Sequence, residues 1–529
     1  MSTCGRERRL GRLSSCGILF FVCAMICVTS GGCGLDEWAR NGFKVGPNYK
    51  EPPAPVASHW IDYQAPESQA PVDSAELKRW WHVFHDPVLN SLVSDAYKQN
   101  LTLRTAGERI SEARAVRGIA LGNIFPQQQD VTASYAAIKA SDRTASPLGE
   151  QWFRDANVGF NVGWEIDFWG RFRRAIESAD ANLDASISDY DDVLVVLLSD
   201  VAANYIQYRT FQERLALARR NVQIQEAAYQ LASDTFRLGR ATERDPQQAK
   251  QVLEQTRSTI PDLETGLRRT NNALCVLLGI PTQDLAGRLG ESGVIPVGQP
   301  QLALGIPADL LRRRPDVRRA ERQAAAQSAL IGVAKADLYP RFSLLGSIGV
   351  QAQELGDLFH TPGSLSGFVG PKFQWNILNY GQIDNAVKVQ EARFGQLFYN
   401  YQEAVLNANR EAENSIFAYG RSLDRARYLG ESVSAATRVV QITNDQYKQG
   451  AIDFTPVFIF EAALTSQEDA LAQARGDIAL NLVDLYRAVG GGWEAQGEPG
   501  AYVAPPTTAP TTQRTALPLP TTQPAPVRR

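Results

Sequence analysis

Two hydrophobic rhythms dominate this chain. Between Asn157 and Phe168 apolar and polar positions alternate strictly: Val158, Phe160, Val162, Trp164, Ile166 and Phe168 share one face, and Asn157, Gly159, Asn161, Gly163, Glu165 and Asp167 share the other. Successive side chains of a strand point to opposite sides. A period of two over about eleven residues therefore predicts a β-strand with one apolar face, of the length that crosses a bilayer within a barrel. The rhythm returns with Phe342, Leu344, Ile348 and Val350 against Ser343, Ser347, Gly349 and Gln351. It returns again with Val369, Phe373, Trp375 and Ile377 against Lys372, Gln374 and Asn376, and a weaker fourth strand, carrying Tyr135, runs from Val131 to Lys139. Four strands cannot close a barrel, and an open edge in hydrocarbon leaves backbone groups unpaired at several kcal/mol each. The strands are expected to share a barrel with other copies of the chain.

The second rhythm is helical and very long. Arg173 to Phe236 holds neither Pro nor Gly, which predicts roughly 60 helical residues spanning about 90 Å. Gln382 to Tyr447 holds no Pro and only three Gly. Helices of this length need partners along their whole extent, as in a coiled coil or a helical barrel. Val193, Val196, Leu197, Val201 and Tyr205 supply a packing seam, and the stretches from Asp245 to Leu278 and from Pro456 to Val489 are expected to return antiparallel.

Strands and helices are arranged twice. Phe236-Arg237-Leu238-Gly239 recurs as Tyr447-Lys448-Gln449-Gly450, Asp167-Phe168-Trp169-Gly170 as Leu378-Asn379-Tyr380-Gly381, and Leu277-Leu278-Gly279 as Ala488-Val489-Gly490, each 211 residues later. Ile124-Phe125-Pro126 recurs as Leu338-Tyr339-Pro340 after 214 residues. Three landmarks at one spacing define two copies of a unit ordered helix, two strands, very long helix, turn, long helix. The expected divisions are a leader over 1–32, an anchor and extended arm over 33–85, a first repeat over 86–285, a linker over 286–307, a second repeat over 308–493, and a tail over 494–529. The tail is Pro-, Thr- and Gln-rich, with too little apolar bulk to fold.

Composition adds a compartment. Arg6, Arg8, Arg9 and Arg12 precede an apolar run from Cys16 to Val28, then Thr29-Ser30-Gly31-Gly32-Cys33. The run has the length of a secretory leader rather than of a spanning helix. A leader ending in small residues and a Cys is similar to a bacterial lipoprotein signal, which makes Cys33 the expected lipidation site, although Ser30 stands where Leu is usual. Gly34 in place of Asp favours sorting to the outer membrane. Cleavage removes Cys4, Cys16, Cys23 and Cys27, so Cys275, within an apolar stretch, reads as a small buried hydrophobe and no disulfide is expected. With 54 basic and 57 acidic residues the net charge is −3, too balanced to attract nucleic acid. The histidines are His59, His82, His85 and His360. No Gly-rich phosphate loop, Cys/His cluster or catalytic constellation accompanies them, so no enzyme, metal site or cofactor is expected beyond the lipid.

The resemblance that unites these features rests on three segments. Trp80-Trp81, Phe84, Asp86-Pro87, Leu89, Leu92, Ala96, Asn100, Leu101, Ala106 and Arg109 open the first copy. Leu311-Arg312-Arg313-Arg314-Pro315-Asp316-Val317-Arg318, running on to Ile331-Gly332-Val333-Ala334-Lys335-Ala336, opens the second. Leu485-Tyr486-Arg487-Ala488-Val489-Gly490-Gly491-Gly492-Trp493 closes it. Over residues ~40–493 the chain resembles the TolC-like outer-membrane factor family, in its lipoprotein, NodT-type branch.

That resemblance implies a homotrimer, mainly α with transmembrane β. Four strands per protomer would build a twelve-stranded outer-membrane β-barrel, continued by a long periplasmic α-helical barrel. It implies a passive duct for small molecules, lipid-anchored in the outer membrane, working with a periplasmic adaptor and an inner-membrane pump. Arg237, Leu238, Gly239 and Arg240, with Lys448, Gln449, Gly450 and Ala451, become adaptor-docking tips. Tyr447 matches a tyrosine that narrows the periplasmic mouth. The family's two acid positions fall on Pro456 and Ile459, so Asp453, Phe458 and Ile459, near Phe460 and Glu461, are the remaining gate candidates, with apolar closure expected. Protein export in a type I system uses the same duct; the leader and the RRPD-type segment favour small-molecule efflux.

Overall fold

The computed structural model describes residues 38–53, 55–56, 60–61, 77–139, 141, 143, 152–290, 293–298, 311–360 and 363–496. The leader with Cys33, His59, residues 62–76 of the arm, residues 291–292 and 299–307 of the linker, residues 308–310 of the second repeat and the tail from 497 lie outside the described residues.

Both halves have the same element order. The 3-10 turn Trp80–Phe84 and α1 (Pro87–Gln99) come first. Then α2 (Leu101–Gly122), β1 (Gln128–Lys139), β2 (Trp152–Ile166), α3 (Arg171–Arg237) and α4 (Arg244–Leu277) are answered by α5 (Pro315–Ala336), β3 (Arg341–Ala352), β4 (Leu365–Gln374), α6 (Gln382–Lys448) and α7 (Phe454–Ala488). α3 and α6 have 67 residues each, about 100 Å of helix. Their limits coincide at the 211-residue spacing, with Gly170 and Gly381 as N-caps at φ of 79° and 80°.

The strands form one antiparallel sheet in the order β1-β2-β3-β4. Its register assembles the alternation into two chemically distinct faces. Val131 lies opposite Phe160 and Phe160 opposite Ile348; Ala133, Val158, Val350 and Leu365 form another rung, and Ile166, Phe342 and Phe373 a third. The opposite face is mainly polar, though it also carries Leu345 and Phe368: Asn161 donates to Asp130 at 3.0 Å and Thr132 at 3.1 Å, and Gln351 to Asp155 at 2.7 Å. Two strand ends differ from expectation. β2 stops at Ile166, where the Phe168 amide turns back to the Ile166 carbonyl at 2.8 Å. β4 stops at Gln374, which pairs with Arg341, the first residue of β3, so Trp375, Asn376 and Ile377 have no strand to pair with. Trp375 instead donates its indole N–H to the Leu338 carbonyl at 3.0 Å, as Trp164 does to Ile124 at 2.9 Å.

The main core surrounds the middle of α3, where Trp80, Leu89, Leu92, Tyr205, Leu274 and Leu482 meet. Of the expected seam, Leu197, Val201 and Tyr205 are buried, while Val193 and Val196 are half-buried. Trp80 stacks on Tyr486 with ring centroids 5.3 Å apart, joining the 3-10 turn that opens the first half to the last helix. Cys275 is fully buried here, as an inert small side chain.

Between sheet and helices the N-terminal segment is clamped. Trp38 packs on Phe43, Phe168 and Trp169 at centroid distances of 4.8, 5.1 and 5.4 Å. Arg173 donates to the Gly42 and Phe43 carbonyls at 2.9 and 2.8 Å, and Arg174 to Val45 and Gly46 at 3.0 and 2.9 Å. At the other terminus Trp493–Gln496 forms a 3-10 turn in which Glu494 pairs with Arg313 at 2.9 Å and Lys78 at 3.5 Å.

Candidate functional site

The two helix turns farthest from the sheet are built alike. The amide of Gly239 bonds the Phe236 carbonyl at 2.9 Å and that of Arg240 bonds Thr235 at 3.0 Å. In the second half Gly450 bonds Tyr447 at 2.9 Å and Ala451 bonds Gln446 at 3.0 Å. This paired closure satisfies the last carbonyls of a helix and needs a left-handed residue between them. Gly239 and Gly450 meet that need at φ of 71° and 72°, and a Cβ added to either would find nothing within 4 Å. Open backbone flanked by Arg237, Leu238, Arg240, Lys448, Gln449 and Ala451 is therefore available at both tips. Arg237 is engaged by Asp234 at 3.1 Å, while Leu238 is largely exposed.

The gate candidates separate into three groups. Tyr447 packs edge-on against Phe454, with centroids 5.2 Å apart and planes at 71°, inside a cluster with Ala232, Ala249 and Val457. Phe458 leans on the same cluster, so both rings stabilise the end of the protomer's own helix bundle. Asp453 accepts from Arg244 at 2.8 Å, tying the second tip to the first. Ile459 and Phe460 remain exposed on the protomer.

A polar ladder joining α3 to α7 went unseen in the sequence. Gln225 donates to Thr465 at 3.2 Å, Asn221 to Glu468 at 2.9 Å, and Arg214 holds Asp469 by two bonds at 2.7 and 2.9 Å. Arg214, Asn221 and Gln225 are spaced by seven and four, so a polar stripe was present in the pattern; its partner helix was not. Beside it Glu461 is buried, hydrogen-bonded by Asn444 at 3.1 Å, and burial raises its carboxyl above the usual range.

Among the described residues no group of three or more His, Cys, Asp or Glu could hold a metal, and no helix is long and apolar enough to cross a membrane. His82 and His85 are exposed beside the buried Trp80-Trp81 pair.

The profile of the family described as "Outer membrane efflux protein" matches residues 92–280 and 306–491. The chain belongs to this family. Its two matched stretches coincide with the two structural halves. Similar curated proteins include Nodulation protein T of Rhizobium leguminosarum bv. trifolii, 29% identical over 87% of this chain and 97% of that protein. Another is the pyoverdine export outer membrane protein OpmQ of Pseudomonas putida, 30% identical over 84% and 93%. Among solved structures, the outer-membrane channel OprN aligns with a TM-score of 0.79 at 31% identity, covering 85% of this chain and 99% of that one. Crystal structures of CusC align at 0.73 and 26% identity, covering 85% and 100%. The protein is thus an outer-membrane efflux channel with a TolC-like fold, and its helical shaft is the periplasmic extension of that channel.

Proposed function

We propose that three copies assemble into one continuous duct, each giving four strands to a twelve-stranded barrel and its long helices to a periplasmic tube. The observation that carries this is the open sheet: β1 and β4 are edges, and the face bearing Val131, Phe160, Ile348, Leu365, Val369 and Phe373 is exposed on the single protomer. An apolar sheet of this kind is stable in a bilayer only when every edge is paired. The duct is passive and performs no catalysis. An inner-membrane pump and a periplasmic adaptor drive it, and the adaptor docks on the open backbone at Gly239 and Gly450.

A lipid on Cys33 would sit beside the barrel. Trp38, five residues on, is docked in the aromatic cluster at the sheet's base, and five residues span at most about 17 Å. The cargo belongs to the small molecules carried by related channels, whose printed names include pyoverdine export and cation efflux.

Photo-crosslinking from Arg240 and Ala451 in intact cells, with identification of the captured chain, tests the docking. Capture of the adaptor of a proton-driven pump is expected. Capture of a type I secretion adaptor would reassign the cargo to protein, and trimers that capture nothing would remove the tips as docking sites.

A further inference from the structure

The apolar face of the sheet differs between its two ends. Followed through the register, that face carries two charged residues among the four strands, Lys139 on β1 and Arg154 on β2. Both are cations, and both stand at the same end. Lys139 lies opposite Trp152 and Arg154 opposite Ala137, so the two cations are diagonal neighbours about 7–8 Å apart at the backbone. The strand acids Asp130, Asp155 and Glu165 fall on the other face, with Arg341 and Lys372.

Their height on the sheet is as telling as their sign. β1 enters from α2 and β2 leaves into α3, so Lys139 and Arg154 stand at the end away from the helices. With the shaft in the periplasm, that end points to the cell exterior. From Ala156, just below Arg154, to Ile166 at the base is ten residue steps. Ten steps measure about 33 Å of strand, and a tilt of about 40° turns them into about 25 Å of height, the apolar band of an outer-membrane barrel. The two cations therefore begin where the hydrocarbon ends.

A cation on a lipid face is costly at the midplane and cheap at the interface, so the height permits these two without calling for them. What calls for a partner is their lack of a counter-charge. Both are exposed, and among the described residues neither makes an ion pair or a side-chain hydrogen bond; Lys139 only stands over the Trp152 ring at 5.7 Å. Asp155, next to Arg154 in the chain, points to the opposite face and accepts from Gln351. Glu354, just past the end of β3, forms no ion pair among the described residues. The lower border of the band is of another kind: its indoles, Trp164 and Trp375, spend their N–H groups on the Ile124 and Leu338 carbonyls. At the upper border Trp152 is 64% exposed and Tyr135 53%.

We propose that Lys139 and Arg154, framing Trp152, bind the phosphate of an anionic lipid headgroup in the outward leaflet. The guanidinium offers paired N–H donors to two phosphate oxygens, and the ammonium adds a mobile point charge beside it. Trp152 and Tyr135 lie against the first carbons of the acyl chains and keep their polar edges at headgroup level. The proposal rests on the membrane-barrel reading and adds the chemical class of lipid the barrel holds and the strand pair that holds it. The outer border of the band is then fixed by charge and the inner border by neutral aromatic rings.

The test uses the full chain purified in detergent, with native mass spectrometry counting bound lipid. The probes are lipid A with both phosphates, the same lipid with both removed, phosphatidylethanolamine, and inorganic phosphate as competitor. Wild type is expected to hold the phosphorylated lipid at least tenfold more tightly than the dephosphorylated one. Lys139→Gln combined with Arg154→Gln is expected to erase that preference and leave phosphatidylethanolamine binding unchanged, and Lys139→Arg with Arg154→Lys to keep it. Equal binding of the two lipid A forms by wild type overturns the proposal without recourse to any variant. So does a preference that survives in the double Gln variant. Displacement of the lipid by millimolar inorganic phosphate would make this a site for free anions and overturn the lipid assignment. Flotation with plain phospholipid vesicles reads the barrel separately. A chain that floats but shows no phosphate preference overturns only the headgroup site, and one that does not float overturns the barrel as well.

Discussion

Asn100 and Arg314 hold the same post in the two halves. Each precedes the helix that runs into the sheet, and each donates to the carbonyl that ends the returning helix. Asn100 Nδ2 bonds the Leu277 carbonyl at 2.9 Å while its Oδ1 accepts from the Leu103 amide at 2.9 Å. Arg314 Nη1 bonds the Ala488 carbonyl at 2.8 Å, and its guanidinium grips Asp316 at 3.0 and 2.8 Å and Glu411 at 2.7 Å. Leu277 and Ala488 are themselves 211 residues apart. A neutral amide and a buried cation thus satisfy one orphaned helix end, and the Asp that follows Pro315 is explained as the counter-charge the cation needs.

The two solutions should fail unequally. Asn100→Ala removes a cap and one carbonyl bond, about 2 kcal/mol. Arg314→Met strands two carboxylates and a carbonyl, about 3 kcal/mol or more. Thermal unfolding in detergent should rank Arg314→Met as the more damaging; the reverse order would contradict the equivalence.

Asp191 gives the shaft a pH dependence. It is 4% exposed, its Oδ2 has no hydrogen-bond partner, and the nearest cation, Arg318, stands 4.0 Å away. Burial raises its pKa from 3.8 to about 7, against the pull of Arg318 and with repulsion from Glu494. A folded-state pKa above the unfolded value means the folded protein retains a proton that the unfolded chain releases. Stability from this group is present below about pH 4 and is lost as pH rises to about 7, by roughly 4 kcal/mol at most. Asp191→Asn should raise the melting temperature at pH 8 and flatten its slope between pH 5 and 8. An unchanged slope would remove Asp191 as its origin.

The sheet distinguishes its glycines. A Cβ at Gly349 would stand 2.4 Å from the Val158 carbonyl oxygen and 2.6 Å from the Gly159 Cα, whereas one at Gly370 would meet nothing within 4 Å. On semi-native gels Gly349→Val is expected to lose the proposed trimer, and Gly370→Val to keep it. Equal behaviour of the two would mean that close approach of β2 to β3 is not what Gly349 provides.

Ile459 is the gate candidate left uncovered by its own protomer. Tyr447 and Phe458 pack in the tip cluster, whereas Ile459 and Phe460 are exposed on the protomer, and we propose that this exposed pair takes part in apolar closure of the mouth. Ile459→Asp should increase uptake of a bulky antibiotic in cells lacking the pump, severalfold over wild type. Unchanged uptake would place the constriction elsewhere.

Much of this architecture was legible because its signals are periodic. The alternation around Phe160 and Ile348 located β2 and β3, and the absence of Gly and Pro after Arg171 announced a helix that only its capping glycines could end. The strand ends at Ile166 and Gln374 were not legible, since a strand stops where its neighbour does and the pattern of one strand is blind to the next. The same holds for the tips. Gly239 and Gly450 follow from the local chemistry of a helix stop, but whether Tyr447 faces a mouth or a bundle depends on Phe454, Ala232 and Ala249, brought to it by three different helices. Asp191 was invisible for a related reason: a carboxylate in a polar stretch of α3 becomes unusual only once α5 lies across it.

The equal lengths of α3 and α6 make depth a shared quantity. Deleting one residue from either would turn everything below by about 100° and raise that tip by about 1.5 Å, so the Arg244–Asp453 link could no longer close and the two turns would not be level. Removing eleven residues from each of α3 and α6, with matching cuts in α4 and α7, would preserve every face and bring both tips nearer the outer membrane by about 16 Å. The chain therefore works as a gauge, and the depth its tips reach below the sheet is written in how many residues both shafts agree to have.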